Sequence, residues 1–278
     1  MKKLVVLIPY FGKLPAWFPI FLKSCELNPH VDWYFFTDVD CSKYKVSNVF
    51  FVNLTFNEYC KDISEKLSIN FYPSSPYKLC DLKPVLGYLN KDIISKYEFW
   101  AFSDIDLVYG DLLNYYGDLM SKYDLISNHQ NRISGHLTLI RSSSGLENLF
   151  LKILNWKEKF ESQEHYALDE GAFSKFFIKH KNWPEGLRKI ADAFNGLRQK
   201  SYFHEAYTTP NAGINWVDGT KNFPQKWYWK NGVITNSLID IRVPYFHFMD
   251  WKKNYSDKNV NIGNINLLDV CFSMEGIV

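Results

Sequence analysis

The first hundred residues alternate short apolar runs with segments whose apolar residues recur every three or four positions. "KKLVVLIPYFG" is an unbroken apolar run closed by Pro9 and Gly12, the pattern of a strand buried on both faces. "AWFPIFLKSCELNP" has helical spacing, with Pro15 before it, Pro19 in its first turn and Pro29 closing it. "VDWYFFTDVD" and "NVFFVNL" read as the second and third strands, and "LTFNEYCKDISEKLSI" as a helix. "YKLCDLKPVLGYLNKDIISKY" reads as a loop and a further helix with Pro84 near its start, and "YEFWAFSDIDLV" as the fourth strand. This alternation over residues 1–108 predicts βαβ units and a mostly parallel sheet.

The second half is less regular. "YDLISNHQNRISGHLTLIRSS" predicts two strands joined by a polar loop, and "SSGLENLFLKILNWKEKF" one amphipathic helix. "HYALDEGAFSKFFIKH" reads as a loop entering a helix at Asp169-Glu170. "QKWYWKNGVIT" predicts a hairpin turning at Asn231-Gly232, and "VPYFHFMDWKKNY" a last strand followed by a basic segment. No repeat, low-complexity tract or linker interrupts the chain.

Ligands of open parallel sheets gather at the carboxyl ends of the strands. Those ends are predicted at Pro9-Tyr10-Phe11, at Thr37-Asp38 and at Ser103–Asp106. Neither a G-x-G-x-x-G nor a P-loop pattern is present, so the usual glycine-rich phosphate cradles are absent.

The 278 residues suit one large domain or a domain with a sizeable insertion. Aromatic residues make up 18% of them, and core packing is favoured over sugar stacking as the main reason. A net charge of +2 and a pI near 8.1 are too weak to argue for nucleic acid, and none is expected as a partner. The charge suits an anionic small molecule or a loose encounter with an acidic membrane surface. The 5 cysteines are odd in number and show no C-x-x-C spacing, which predicts neither disulfides nor zinc and fits a reducing cytoplasm. The apolar run of "MKKLVVLIPYFG" is too short for an export signal, and no run approaches the roughly 18 apolar residues of a membrane span.

Two Asp-x-Asp pairs occur, Asp38-Val39-Asp40 and Asp104-Ile105-Asp106. Either reads first as a solvated turn. The second follows "FWAF", apolar enough for a sheet centre, and paired carboxylates in a desolvated cleft repel unless a cation joins them. Hard oxygen ligands suit Mg²⁺ or Mn²⁺, with positions left for a substrate diphosphate. "FHFMDWKK" offers His247 as a nitrogen ligand and Lys252 and Lys253 as phosphate partners. The plain alternatives are a core histidine and a solvated basic face.

In this order, "PYKLCDLKPVLGYL", "FWAFSDIDLVYGDL", "NRISGHLTLIR", "HYALDEGAF" and "FHFMDWKK" resemble GT-A fold glycosyltransferases, and more narrowly a bacterial glycosyltransferase-like family associated with polysaccharide biosynthesis. The resemblance spans roughly residues 1–255. It implies an α/β, GT-A-like (Rossmann-like) fold: a mostly parallel central sheet, helices on both faces and a smaller acceptor-side subregion. Within one domain it implies a nucleotide-sugar-binding half at 1–110, an acceptor and catalytic half at 111–255, and a C-terminal tail at 256–278.

The resemblance further implies Asp104, Asp106 and His247 as ligands of Mn²⁺ or Mg²⁺, with Asp106 the more direct and Asp104 also touching the donor. Pro9, Tyr10, Phe11 and Asp38 would line the base and ribose pocket, Asp81 and Lys83 would face the donor sugar or diphosphate, and Lys252 or Lys253 the diphosphate. The segment after His247 departs from the best-known pattern, which has a glycine between the histidine and the lysine, so the share of each lysine stays open. Asp169 and Glu170 are the candidates for catalysis: in an inverting transferase a carboxylate takes the acceptor hydroxyl proton, in a retaining one a carboxylate or amide often lies beneath the anomeric carbon, and helix-dipole complementation is their plain alternative. Asn131, Arg132, Ser134 and His136 are candidates for acceptor or donor-sugar contacts, or else an ordinary loop.

The expected function is metal-dependent transfer from a nucleotide sugar, UDP-linked, to a bacterial surface-glycan acceptor. That acceptor is expected to be lipid-linked at the inner face of the membrane, with the protein cytoplasmic or peripheral there. A haloacid-dehalogenase-like phosphatase matches "FWAFSDIDLV", but the following Gly-Thr and a later acidic pair are missing. A non-catalytic carbohydrate or nucleotide-binding domain is the third reading.

Overall fold

The computed structural model describes residues 2–180, 183–239, 242–255, 260 and 265–278. The first eight strands are β1 (Lys2–Pro9), β2 (Val31–Thr37), β3 (Val49–Asn53), β4 (Tyr97–Ser103), β5 (Leu107–Tyr109), β6 (Leu125–Ser127), β7 (Leu137–Arg141) and β8 (Ser201–Phe203). Seven of them form the central sheet in the order β3-β2-β1-β4-β7-β6-β8. β3, β2, β1 and β4 run parallel, β7 is antiparallel to both neighbours, and β6 and β8 are parallel. This is the mostly parallel α/β sheet that the apolar alternation predicts.

Helices cover both faces because the strands are apolar on both. Val5 and Leu7 of β1 pack with Tyr59, Ile63 and Leu67 of α2 (Phe56–Leu67). Leu4, Val6 and Ile8 point the other way, toward Phe18 and Phe21 of α1 (Phe18–Glu26). The helix α2 starts at a capping box in which Thr55 Oγ1 accepts from the Glu58 amide and Glu58 accepts from the Thr55 amide at 2.7 Å. The single helix expected from 143 to 160 is instead split into a 3₁₀ segment, Leu146–Lys152, and a short α-helix, Trp156–Glu161. Asn155 takes a left-handed φ of 54° at the break, a conformation open to Asn at little cost.

The later strands are β9 (Lys226–Lys230), β10 (Val233–Asn236), β11 (Tyr245–His247), β12 (Asp269–Ser273) and β13 (Gly276–Ile277). β9 and β10 make the expected hairpin, with Asn231 and Gly232 at φ of 48° and 81°, as a type I′ turn requires. β12 and β13 complete a four-stranded sheet in the order β10-β9-β12-β13. The strand at 245–247 is therefore not the last, and part of the segment expected as a tail is packed. Residues 256–259 and 261–264 of that segment lie outside the described residues. β11 pairs instead with β5, setting His247 opposite Leu107. Seven of the nine tryptophans are buried, which assigns most of the aromatic excess to core packing, and Trp183 is exposed.

One tight contact supports the strand that ends in Asp104. A Cβ placed on Gly87 would lie 2.5 Å from two ring atoms of Trp100, a fully buried residue of β4. Gly87→Ala is expected to cost about 1–3 kcal/mol of stability through overpacking, read as a lowered urea midpoint. An unchanged midpoint would mean that the indole has room to move.

Candidate functional site

The carboxyl ends of β1 and β4, the loop between β6 and β7, and the segments after β8 and β11 surround one cavity of ≈ 830 Å³. Pro9, Tyr10 and Phe11 line it where β1 ends. Asp104 and Asp106 enter it where β4 ends, because the apolar "FWAF" before them is sheet core and the chain must turn at the sheet edge.

The two aspartates have different surroundings. Asp104 Oδ1 pairs with Lys83 Nζ at 2.8 Å. Asp106 is buried, accepts from Lys252 Nζ at 2.6 Å, and lies 3.5 Å from His247 Nε2. Burial opposes ionisation of Asp106, but His247 and Lys252 outweigh it and hold the carboxyl well below the usual range. Burial also opposes the Lys83 charge, and Asp104 with other negative groups overcomes it, so the ammonium is held charged.

His247 is fixed from behind. Its Nδ1 lies 3.0 Å from Thr209 Oγ1, which orients the ring, and its face stacks on His136 at 4.3 Å between centroids. His136 Nε2 is 2.7 Å from Tyr245 Oη and 2.9 Å from Ser134 Oγ. Burial and the neighbouring His247 push the His136 pKa well down, so a neutral ring carries the stack.

The donors fit a hard divalent cation in part. Asp106 Oδ1 is buried without a hydrogen-bond partner, and a Thr-oriented imidazole nitrogen faces it. Mg²⁺-type ions are commonly held by one or two protein carboxylates together with substrate phosphates. Asp104 is drawn to Lys83 instead, and among the described residues no three His, Cys, Asp or Glu side chains group around one ion position.

Asp169 and Glu170 also line the cavity. Asp169 is buried, and burial lifts its carboxyl to about 6 although Lys83 pulls it down. Glu170 lies 3.4 Å from Arg132 Nε. Both acids crowd the β6–β7 loop at Gly135, where an added Cβ would sit 2.8 Å from Asp169 Oδ2 and 3.2 Å from Glu170 Oε1. The turn carrying them, Asp169–Phe173, is a π-type turn in which the Phe173 amide donates to Leu168 O, a widening frequent at functional sites.

The segment before that turn is pinned by a buried ion pair. Lys78 and Asp81 are 2.9 Å apart, and Asp81 also accepts from the amides of Tyr166 at 3.0 Å and Leu168 at 3.2 Å. Lys78 donates to Lys159 O at 2.7 Å. Asp81 is thus saturated and, unlike Lys83, is not among the residues that line the cavity.

Three more expected residues lie outside the cavity wall. Asp38 accepts from the Gly12 amide at 2.9 Å, bracing a turn whose φ is 99°. Lys253 pairs with Asp250 on the surface at 2.6 Å. Asn131 lines a second, smaller cavity with Arg188 and Asp192. The other pair's Asp40 is a solvated turn acid, accepting from the Ser42 amide. Arg132, Ser134 and His136 do line the main cavity.

Sequence reasoning missed Glu205, Thr209 and Cys80. Glu205 lines the cavity just after β8, one Oε is buried without a partner, and burial lifts its carboxyl to about 7. Its only sequence signal is an acid following the short apolar "SYF". Burial raises the Cys80 thiol to about 11, so it stays protonated beside Lys83.

Comparison with known proteins gives one family and one fold. A family model described as a family of unknown function, DUF6625, matches residues 6–271. No curated protein matches the chain. Mouse xyloside xylosyltransferase 1, in its apo form, is similar at 8% identity and a TM-score of 0.50, covering 88% of this chain and 96% of that one. The glycosyltransferase GlyE of Streptococcus pneumoniae gives 13% identity and a TM-score of 0.39 over 65% of this chain and 44% of its own. A glycosyltransferase involved in glycosylating the major capsid of PBCV-1 gives 11% and 0.42 over 74% and 83%. The likeness to the xylosyltransferase shows the fold, which is the GT-A-like one expected.

Proposed function

The chain belongs to DUF6625, a family of unknown function, and we propose from its site that it is a metal-dependent glycosyltransferase. The donor is a UDP-sugar and the acceptor a hydroxyl of a surface glycan. The observation that carries this reading is one cavity that gathers two sets of groups. Cations and an orphaned carboxylate oxygen stand at the end of β4, and a buried acid with a raised pKa lines the same cavity within reach of the Lys83 charge.

The two sets divide the reaction. Lys83 and Lys252 supply positive charge where a diphosphate departs, and Pro9, Tyr10 and Phe11 form the wall for the nucleoside. Asp106 and His247, and Asp104 once released from Lys83, would hold Mn²⁺ or Mg²⁺, which supplies Lewis-acid neutralisation of the leaving diphosphate. Asp169, ionised above pH 6, accepts the acceptor hydroxyl proton as the new glycosidic C–O bond forms and the bond to the diphosphate breaks. Arg132 steadies Glu170 beside it. The part of the cavity lined by Arg132, Ser134 and Glu205 is left for the sugars.

The test is UDP release from a panel of UDP-sugars, with Mn²⁺ and with EDTA. The expected result is release that requires Mn²⁺ or Mg²⁺ and rises with a glycan acceptor. Full release in EDTA would remove the metal from the reading, and phosphate release from an aryl phosphate in its place would make the chain a phosphatase.

A further inference from the structure

An exposed apolar face stands beside the sugar end of the cavity. The helix Glu185–Ala193 and its flanks expose Trp183 by 47%, Leu187 by 53%, Ile190 by 59% and Phe194 by 87%. Leu187, Ile190 and Phe194 follow the three-and-four spacing of one helical face. The Trp183 ring is held in place by stacking on His180 at 3.9 Å. Single exposed apolar residues are ordinary, but four large ones within twelve positions form a patch that needs an occupant.

The charge around the patch says which occupant. Residues 174–200 hold seven Lys or Arg and two Asp or Glu, a net +5 in a chain whose total is +2. The rest of the chain is therefore net negative, and the basic charge is concentrated where the apolar residues emerge. Lys175 and Lys179 are exposed just before the patch, and Arg188 and Lys189 lie within it. Aromatic and aliphatic side chains flanked by lysine and arginine suit the headgroup boundary of an anionic bilayer, where the apolar groups sink in and the ammonium groups meet phosphate. Among the described residues no helix is long and apolar enough to cross a membrane. The apolar face with its basic surround suits a surface on which the protein lies.

We propose that Trp183, Leu187, Ile190 and Phe194, with the surrounding basic residues, dock this protein onto an anionic lipid surface. The placement bears on the site. Asn131 and Arg188 line one small cavity, and Arg132, the next residue in that loop, lines the main one beside Glu170. On the transferase reading, which this one clause rests on, the acceptor reaches the cavity from the bilayer and is lipid-linked.

The experiment is vesicle co-sedimentation of the full chain, with no sugar nucleotide present, so it reports docking whether or not the chain is a transferase. Phosphatidylcholine vesicles with and without phosphatidylglycerol are compared. The expected result is sedimentation with the anionic vesicles that weakens as salt is raised. The variant Leu187→Ser/Ile190→Ser/Phe194→Ser is expected to lose at least about tenfold in partitioning, with its circular dichroism unchanged. Lys175→Glu/Lys179→Glu is expected to lose the preference for anionic lipid. Wild-type protein that stays in the supernatant, or a triple variant that sediments as well as wild type, overturns the proposal. A wild-type dimer that the triple variant dissolves, without vesicle binding, also overturns it and assigns the face to a second copy of the chain.

Discussion

Asp106→Asn is expected to lower UDP-sugar turnover by about 10³-fold, the scale of losing one preorganised electrostatic contact in a closed site. Asparagine keeps the shape but not the charge. Lys252 loses the carboxylate it contacts at 2.6 Å, and the oxygen facing His247 loses its negative charge. Fold stability is expected to fall less than the about 3–5 kcal/mol of a stranded buried partner, because the half-exposed Lys252 can turn to water. Mn²⁺ titration by electron paramagnetic resonance gives a readout apart from turnover. Wild type is expected to bind the ion with UDP present, and the variant only weakly. Equal Mn²⁺ binding and turnover in the two proteins would leave Asp106 as a structural partner of Lys252.

Asp169→Asn is expected to separate activity from stability. As the proton acceptor, Asp169 is expected to contribute about 10²–10⁴-fold to kcat. In wild type kcat is expected to rise with pH through a midpoint near 6, where its carboxyl ionises, and the variant's residual rate should lack that limb. Stability runs the other way. The folded pKa, about 6, lies above the ordinary 3.8, so the fold binds this proton more tightly than the unfolded chain does. The resulting stabilisation is complete below about pH 4 and lost as pH rises through 6. Above pH 7 the variant should therefore be more stable than wild type, by on the order of 2–3 kcal/mol, with the gap closing toward pH 4. Thermal melts of both proteins across that range check it. Parallel curves at all pH values would mean that the ionised Asp169 is not strained by its burial.

The central sheet was legible because each of its first four strands carries an apolar run of at least four residues, Leu4–Ile8, Trp33–Phe36, Val49–Val52 and Phe99–Phe102, so sequence period and burial agree. Asp104 and Asp106 were legible for the same reason, as acids directly after a strand core. What was not legible depends on contacts far apart in the chain. Asp81 reads like a site acid, yet its partners include amides 85 and 87 residues away, and they turn it inward. Lys252 and Lys253 are equivalent as letters. The 3₁₀ turn Met249–Asn254 sends the first to Asp106 and leaves the second on the surface with Asp250. Glu205 sits after a three-residue strand that pairs with β6, a pairing without a local signal. The split at Asn155 escaped because the apolar spacing on either side is helical, and only packing of Phe150, Trp156 and Phe160 sets the break.

The pairing of β11 with β5 also orders events in time. The Lys252–Asp106 contact spans 146 residues of chain, so the loop it closes is large and its entropy must be met by the sheet already in place. β1 to β4 can assemble while the ribosome is still adding the second half. His247 and Lys252 arrive only after some 250 residues have been made. A nascent chain therefore carries the scaffold without the finished cation pocket. A ligand that bridges the two strands would be expected to slow the opening of this late-docking segment first, before it slows global unfolding.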